Sequence, residues 1–163
     1  MGGDTPIIRQ ILPKDDVPIA ALIREVLAEY GANREGFAFG DAELQSLSAH
    51  YIAPTAAYFV IELEGRIVGG AGYAPLAGVN GVAEARKMYF CSSVRGRGWG
   101  RLLIEHVLRA AAAAGYRSCY LETLSTMHQA VKLYLLNGFE HLDSPLGDTG
   151  HFGCDVWMLK RFE

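Results

Sequence analysis

The sequence predicts an α/β fold in which a mixed sheet carries helices on its faces. Three observations predict it. Two β-rich runs, Ala57 to Leu63 and Arg66 to Tyr73, are joined by Glu64-Gly65, a tight hairpin link. From Glu84 onward, strand-like runs alternate with amphipathic helical ones. The chain has 163 residues, 50% of them hydrophobic and 20% charged, which suits one globular domain spanning 1–163 and excludes a disordered segment.

Each element follows in order. Ile7 to Leu12 is apolar and β-branched and reads as the first strand. Asp15-Asp16 is placed to cap a helix whose first turn tolerates Pro18. Ile19, Leu22, Ile23, Val26 and Leu27 form its apolar stripe. Gly31 to Gly40 is a loop carrying Phe37 and Phe39, followed by an expected short helix from Asp41 to Ala49. After the hairpin, Glu84 to Cys91 is a further strand. Trp99 to Ala114 is the clearest helix, with Leu102, Leu103, Val107, Ala110, Ala111 and Ala114 expected on its buried face. Arg101, Glu105 and Arg109 line the opposite face at i, i+4 spacing, and Gly115 ends the helix. Arg117 to Glu122 is a strand, Met127 to Leu136 a helix stopped by Asn137-Gly138, and Phe139 to Leu142 and Asp155 to Leu159 are the last strands.

Composition narrows the function classes. Lys plus Arg is 15 and Asp plus Glu 18, a formal charge of −3. Sequence-blind nucleic-acid binding needs clustered positive charge and is not expected. The longest apolar runs, such as Ala110 to Ala114, fall far short of the roughly 20 residues of a spanning helix. The start, Met1 to Pro6, lacks a basic segment followed by an apolar one, so a cytoplasmic protein without membrane contact is expected. Cys91, Cys119 and Cys154 cannot all pair and form no C-x-x-C unit, which predicts free thiols and no metal site. Glycine is in excess, 19 residues against about 11 at average usage.

The informative glycines lie in Arg95-Gly96-Arg97-Gly98-Trp99-Gly100, between a strand and the best helix. Glycine admits positive φ and a close ligand approach. Successive N–H groups at a helix N-terminus favour an anion such as a pyrophosphate, with Arg95 and Arg97 expected to add charge beside it. The plain alternative is a glycine-rich turn with two solvated arginines. The spacings G-x-x-x-x-G-K-[ST] and G-x-G-x-x-G are both absent.

Arg95 to Gly100 resembles the Q/R-x-x-G-x-G/A acetyl-CoA motif of the GNAT-type N-acetyltransferases. Lys87-Met88-Tyr89-Phe90 is similar to the family's strand before that loop. Ala130-Val131-Lys132-Leu133-Tyr134 with Gly138-Phe139 is similar to its A-x-x-x-Y…G-F signature. The three stand in the family's order over about Glu84 to Leu142. The resemblance implies a mostly antiparallel central sheet, helices on both faces, and a splayed strand pair that admits acetyl-CoA. It implies that amides of Arg95, Gly96, Arg97, Gly98, Trp99 and Gly100 hold the pyrophosphate. Backbone groups of Met88, Tyr89 and Phe90 would pair with the pantetheine arm as an added strand does. It further implies direct transfer of an acetyl group to a primary amine of a small molecule or peptide. No metal is needed, and a homodimer is an expected assembly. A coenzyme A-binding regulatory module without turnover is the alternative. Met127 stands where the family often has Asn, and Ser92-Ser93 where it often has Pro. Met127 therefore reads as a packing residue.

Tyr134 continues a helical stripe and reads alone as a core aromatic, but the resemblance gives it the role of general acid toward the leaving thiolate. An attacking amine must be neutral, so some group or a water chain takes its proton. Glu84 is the candidate base, with Glu122 on the neighbouring strand; a surface or edge-strand charge is the alternative for each. Cys91 is expected to be inert packing rather than a nucleophile. His128 opens the last helix. His151, in the loop Asp143 to Gly153, is expected to be a solvated loop residue, although that loop and the Phe37/Phe39 loop are the expected walls of the acceptor site.

Overall fold

Five consecutive residues at the start of β2 (Ala57–Leu63) are buried. Strand side chains alternate between faces, so such a strand must be covered on both. The computed structural model, which describes residues 5–163, shows the two covers. Tyr58 and Val60 pack with Ile19, Ile23 and Leu27 of α1 (Asp16–Glu29). Ala57 and Phe59 pack with Leu103, Ile104 and Val107 of α3 (Trp99–Ala113).

The sheet has seven strands: β1 (Ile7–Gln10), β2, β3 (Arg66–Pro75), β4 (Val82–Phe90), β5 (Ser118–Thr123), β6 (Glu140–Leu142) and β7 (Val156–Arg161). Their order is β1-β2-β3-β4-β5-β7-β6. All neighbours are antiparallel except β4 and β5. A parallel pair needs a crossover, and α3 supplies it. The fold class is the expected one. No helix among the described residues is long and apolar enough to cross a membrane. Met1 to Asp4, part of the stretch read for a leader, lie outside the described residues.

Three expectations are corrected. The segment Asp41 to Ala49 is not one helix. It forms 3-10 turns at Ala38–Gly40 and Ala42–Gln45 and a single α turn, α2 (Leu47–His50), with Ser46 at φ −148° breaking the run. Short helices are marginal in water, and here Asp41 and Glu43 turn instead to Lys87 on β4, at 2.7 and 2.5 Å. Asp15 holds the N-cap position of α1 but makes no side-chain cap bond. The Asp15 carboxylate accepts from the Arg9 guanidinium at 2.7 and 2.9 Å and from the Leu12 N–H at 2.8 Å. Asp16 accepts from the N–H and hydroxyl of Ser48. Charge-assisted bonds to arginine are stronger than a lone cap bond. On α3, Leu102 and Ala114 are exposed, while Trp99, Ile104 and Leu108 are buried. The stripe is rotated because Trp99 is drawn into a cluster with Ile61, Val68 and Val94.

β3 and β4 together shape the centre. Gly70 pairs with Tyr89 and Gly72 with Arg86, so Lys87 and Met88 bulge opposite Ala71 alone. Lys87 sits at φ +52°, a conformation side chains seldom take. On the other side of β3, a Cβ at Gly72 would lie 2.6 Å from the Ala57 carbonyl oxygen and the Tyr58 ring. Glycine there lets Tyr58 lie flat against the strand.

Candidate active site

β4 and β5 pair only from Val82↔Ser118 to Glu84↔Tyr120. Beyond Glu84 they separate, each running on for several residues. The bulge at Lys87 falls inside the opened stretch and is held at both ends. The Tyr58 hydroxyl donates to the Lys87 carbonyl at 2.7 Å. The Lys87 ammonium, with a side chain 2% exposed, is paired with Asp41 and Glu43. A buried cation between two carboxylates is costly to unpair, so the bulge is firmly set.

Two clefts flank the opened strands. One lies against the glycine-rich loop. It is lined by Met88, Tyr89 and Phe90 of β4, by Arg95, Gly96, Gly98, Trp99 and Gly100, and by Ala130 and Leu133 of α4 (His128–Leu136). Gly96 and Gly98 have φ of +80° and +82°, and a Cβ on either would meet nothing within 4 Å. These glycines therefore serve backbone conformation, not close packing. Gly98 is the N-cap of α3, whose first N–H groups have no intrahelical acceptor. The cleft has an anion-favouring end at the loop.

Arg95 behaves differently from expectation. The Arg95 guanidinium donates to the Phe90 carbonyl at 2.7 and 3.0 Å and pairs with Glu29 at 2.7 Å. It ties the end of β4 to α1, and its charge is already matched. The Arg97 guanidinium lies over the Trp99 ring, 5.2 Å from its centroid.

The second cleft is lined by Glu84, Arg86 and Lys87 of β4, Glu122 and Thr123 of β5, Phe37, Met127, His151 and Cys154. Tyr134 lines both clefts, as do Met88, Tyr89, Met127 and Ala130. The Tyr134 side chain is buried and stacks edge-on against Phe139. Burial raises its pKa, so the phenol keeps its proton. Glu84 is 4% exposed. Burial raises its carboxyl pKa, and the Arg86 guanidinium, 2.6 Å away, offsets only part of the effect. It is not the surface charge that was its alternative. Glu122 accepts from Tyr120 and Thr149 hydroxyls at 2.6 and 2.5 Å.

His151 corrects a further expectation. It is half-buried and bonded rather than a free loop residue: its Nε2 lies 2.8 and 3.0 Å from the two Asp41 carboxylate oxygens. That bond raises the His151 pKa against the opposing effect of burial. Burial pushes Asp41 upward, but His151 and Lys87 outweigh it and hold it below the usual carboxylate range. The two loops expected as acceptor walls are joined, since the Gly153 N–H donates to the Gly36 carbonyl. Phe37 is buried in this wall, while Phe39 is exposed. Asp41, Lys87 and His151 were missed as a group because no local spacing links positions so far apart.

Cys91 lies in neither cleft, its Sγ 3.2 Å from the Ser93 hydroxyl. Cys154 lines the second cleft, but burial pushes its thiol up to about 12. All three cysteines are free. His128 begins α4 as expected. Glu84, Glu122 and His151 each offer a donor atom within 4.8 Å of the others. Each is also hydrogen-bonded to another side chain: Glu84 to Arg86, Glu122 to Tyr120 and Thr149, and His151 to Asp41.

The wider comparison agrees with this geometry. Residues 20–139 match the family model described as the Acetyltransferase (GNAT) family. An uncharacterized N-acetyltransferase of Escherichia coli, YjgM, is 41% identical over 159 residues, 96% of this chain and 95% of that one. An uncharacterized N-acetyltransferase of Schizosaccharomyces pombe is 32% identical over 130 residues, 79% of this chain and 78% of that one. A GNAT-family acetyltransferase structure from Staphylococcus aureus superposes with a TM-score of 0.82 at 17% identity, covering 98% of this chain and all of that one. The PaiA N-acetyltransferase of Thermoplasma acidophilum, solved with coenzyme A, gives 0.71 at 14% identity, covering 97% and 99%. The chain thus belongs to the GNAT acetyltransferase family and is an acyltransferase.

Proposed function

We propose that this protein acts as a single-domain N-acetyltransferase, moving the acetyl group of acetyl-CoA to a primary amine of a small molecule or peptide within a ternary complex. One observation carries the reading: Tyr134 lines both the glycine-loop cleft and the cleft containing Glu84. A donor in the first and an acceptor in the second would meet beside its phenol.

In this reading the amides of Arg95 to Gly100 bind the pyrophosphate, with the positive end of α3 behind them. Met88, Tyr89 and Phe90 offer backbone groups to the pantetheine arm along the opened edge of β4. Glu84 takes a proton from the acceptor ammonium, which its raised pKa suits. The amine attacks the thioester carbonyl, the C–S bond breaks, Tyr134 gives its proton to the departing sulfur, and the surplus proton shed by the new amide nitrogen restores the phenol. No step calls for a metal.

Calorimetric titration with acetyl-CoA, coenzyme A and ADP tests the donor site. Binding of the first two, with ADP much weaker, is expected. Thiol release is then measured across amino acids, polyamines and peptides. Binding without thiol release for any amine would turn the reading toward a coenzyme A-binding regulatory module.

A further inference from the structure

A proton accepted by Glu84 must leave before the next turnover, yet Glu84 is 4% exposed. Glu84 and His151 line the inner cleft and also a more open depression bordered by Asp41, Glu43 and Thr149. They stand between the two spaces. A ring nitrogen of His151 and oxygens of Glu84 and Glu122 lie within 4.8 Å of one another, a span that one water can bridge. Asp41, as a carboxylate, only accepts, so His151 Nε2 carries the hydrogen toward it and Nδ1 keeps its lone pair.

We propose that His151, oriented by Asp41, is the proton outlet of this site, receiving from Glu84 the proton of the acceptor amine and releasing it to the outer depression. This rests on the acetyl-transfer reading of the same cleft. The ammonium N–H bond breaks and its electron pair becomes the amine lone pair. The proton binds a Glu84 carboxylate oxygen, passes through one water to His151 Nδ1, and leaves as hydronium. Glu84 returns to carboxylate and His151 to neutral imidazole. The charged groups around the ring are Asp41 and Glu84, which favour the imidazolium, Lys87, which opposes it, and Glu122 close by, with Arg86 bonded to Glu84. The outlet is thus easy to protonate, and it lies beside the open mouth through which the proton is lost.

The test follows thiol release from acetyl-CoA, from about pH 5 to about pH 9, with the fastest amine of a panel of amino acids, polyamines and peptides. His151→Gln is expected to lower kcat by on the order of tenfold while leaving KM for both substrates unchanged. Added imidazole should restore turnover to His151→Ala and not to Glu84→Gln. Asp41→Asn should move the acidic limb of kcat to lower pH, in step with the His151 ring titration seen by NMR. Unchanged kcat and pH limb in folded His151→Gln would overturn the outlet and leave acetyl transfer standing. If the His151 variants do not fold, an acidic limb unmoved in Asp41→Asn overturns it instead. No thiol release from the wild type with any amine would overturn the acetyl-transfer reading and the outlet with it.

Discussion

The Tyr58 hydroxyl donates a 2.7 Å hydrogen bond to the carbonyl of Lys87, the residue at φ +52° in the β4 bulge. Tyr58 is fully buried and lies against the glycines of β3. The bond holds the bulge within the stretch where β4 has already parted from β5. Tyr58→Phe keeps the ring and leaves a buried carbonyl unpaired, a cost of about 1–3 kcal/mol. A lower urea midpoint with an unchanged slope is the expected result; an unchanged midpoint would mean that the bond contributes nothing net.

Gly72→Ala probes the same region by volume. Its Cβ would meet the Ala57 carbonyl oxygen and the Tyr58 ring at 2.6 Å, and a backbone atom has little room to yield. Overpacking of this kind costs about 1–3 kcal/mol. Calorimetric Tm should fall accordingly, whereas an unchanged Tm would show that β2 and β3 can separate freely.

Gly98→Val tests the proposed pyrophosphate loop by conformation. Gly98 has φ +82°, and its Cβ would meet nothing within 4 Å. A β-branched residue is strained there by its own backbone. Acetyl-CoA binding by calorimetry should be lost while circular dichroism is retained. Wild-type affinity in the variant would exclude the loop as the pyrophosphate site.

Tyr134→Phe removes the phenolic proton and little else, since the ring packing against Phe139 survives. Turnover should fall at least about tenfold, with acetyl-CoA affinity nearly unchanged. Equal turnover in the two proteins would remove Tyr134 from the chemistry.

The Asp41–His151 pair has a pH signature in stability. The His151 pKa is raised above its ordinary 6.5 on folding. Its contribution is therefore fully present below that ordinary value and is lost as pH rises through the folded value. The Tm difference between wild type and His151→Gln should be largest in mild acid and shrink toward alkaline pH. A difference that grows with pH would contradict the raised pKa.

The local frame of the glycine-loop cleft was legible from residue types. Positive φ at Gly96 and Gly98, a helix beginning at Trp99, and the periodic Ala130 to Tyr134 are local properties, set by a few neighbouring residues and readable in order. Strand and helix types followed from the same periodicities. The cleft containing Glu84 and His151 depended on tertiary structure. Asp41 meets Lys87 across 46 positions and His151 across 110, and those meetings follow from strand register, the bulge opposite Ala71 and the joining of two loops. The contacts to Lys87 broke the expected helix after Asp41, and the cluster of Trp99 with Ile61, Val68 and Val94 rotated the buried face of α3. Local propensity is worth tenths of a kcal/mol per residue, and burying a charge without its partner costs several. Where the two conflicted, the distant partner decided the local structure.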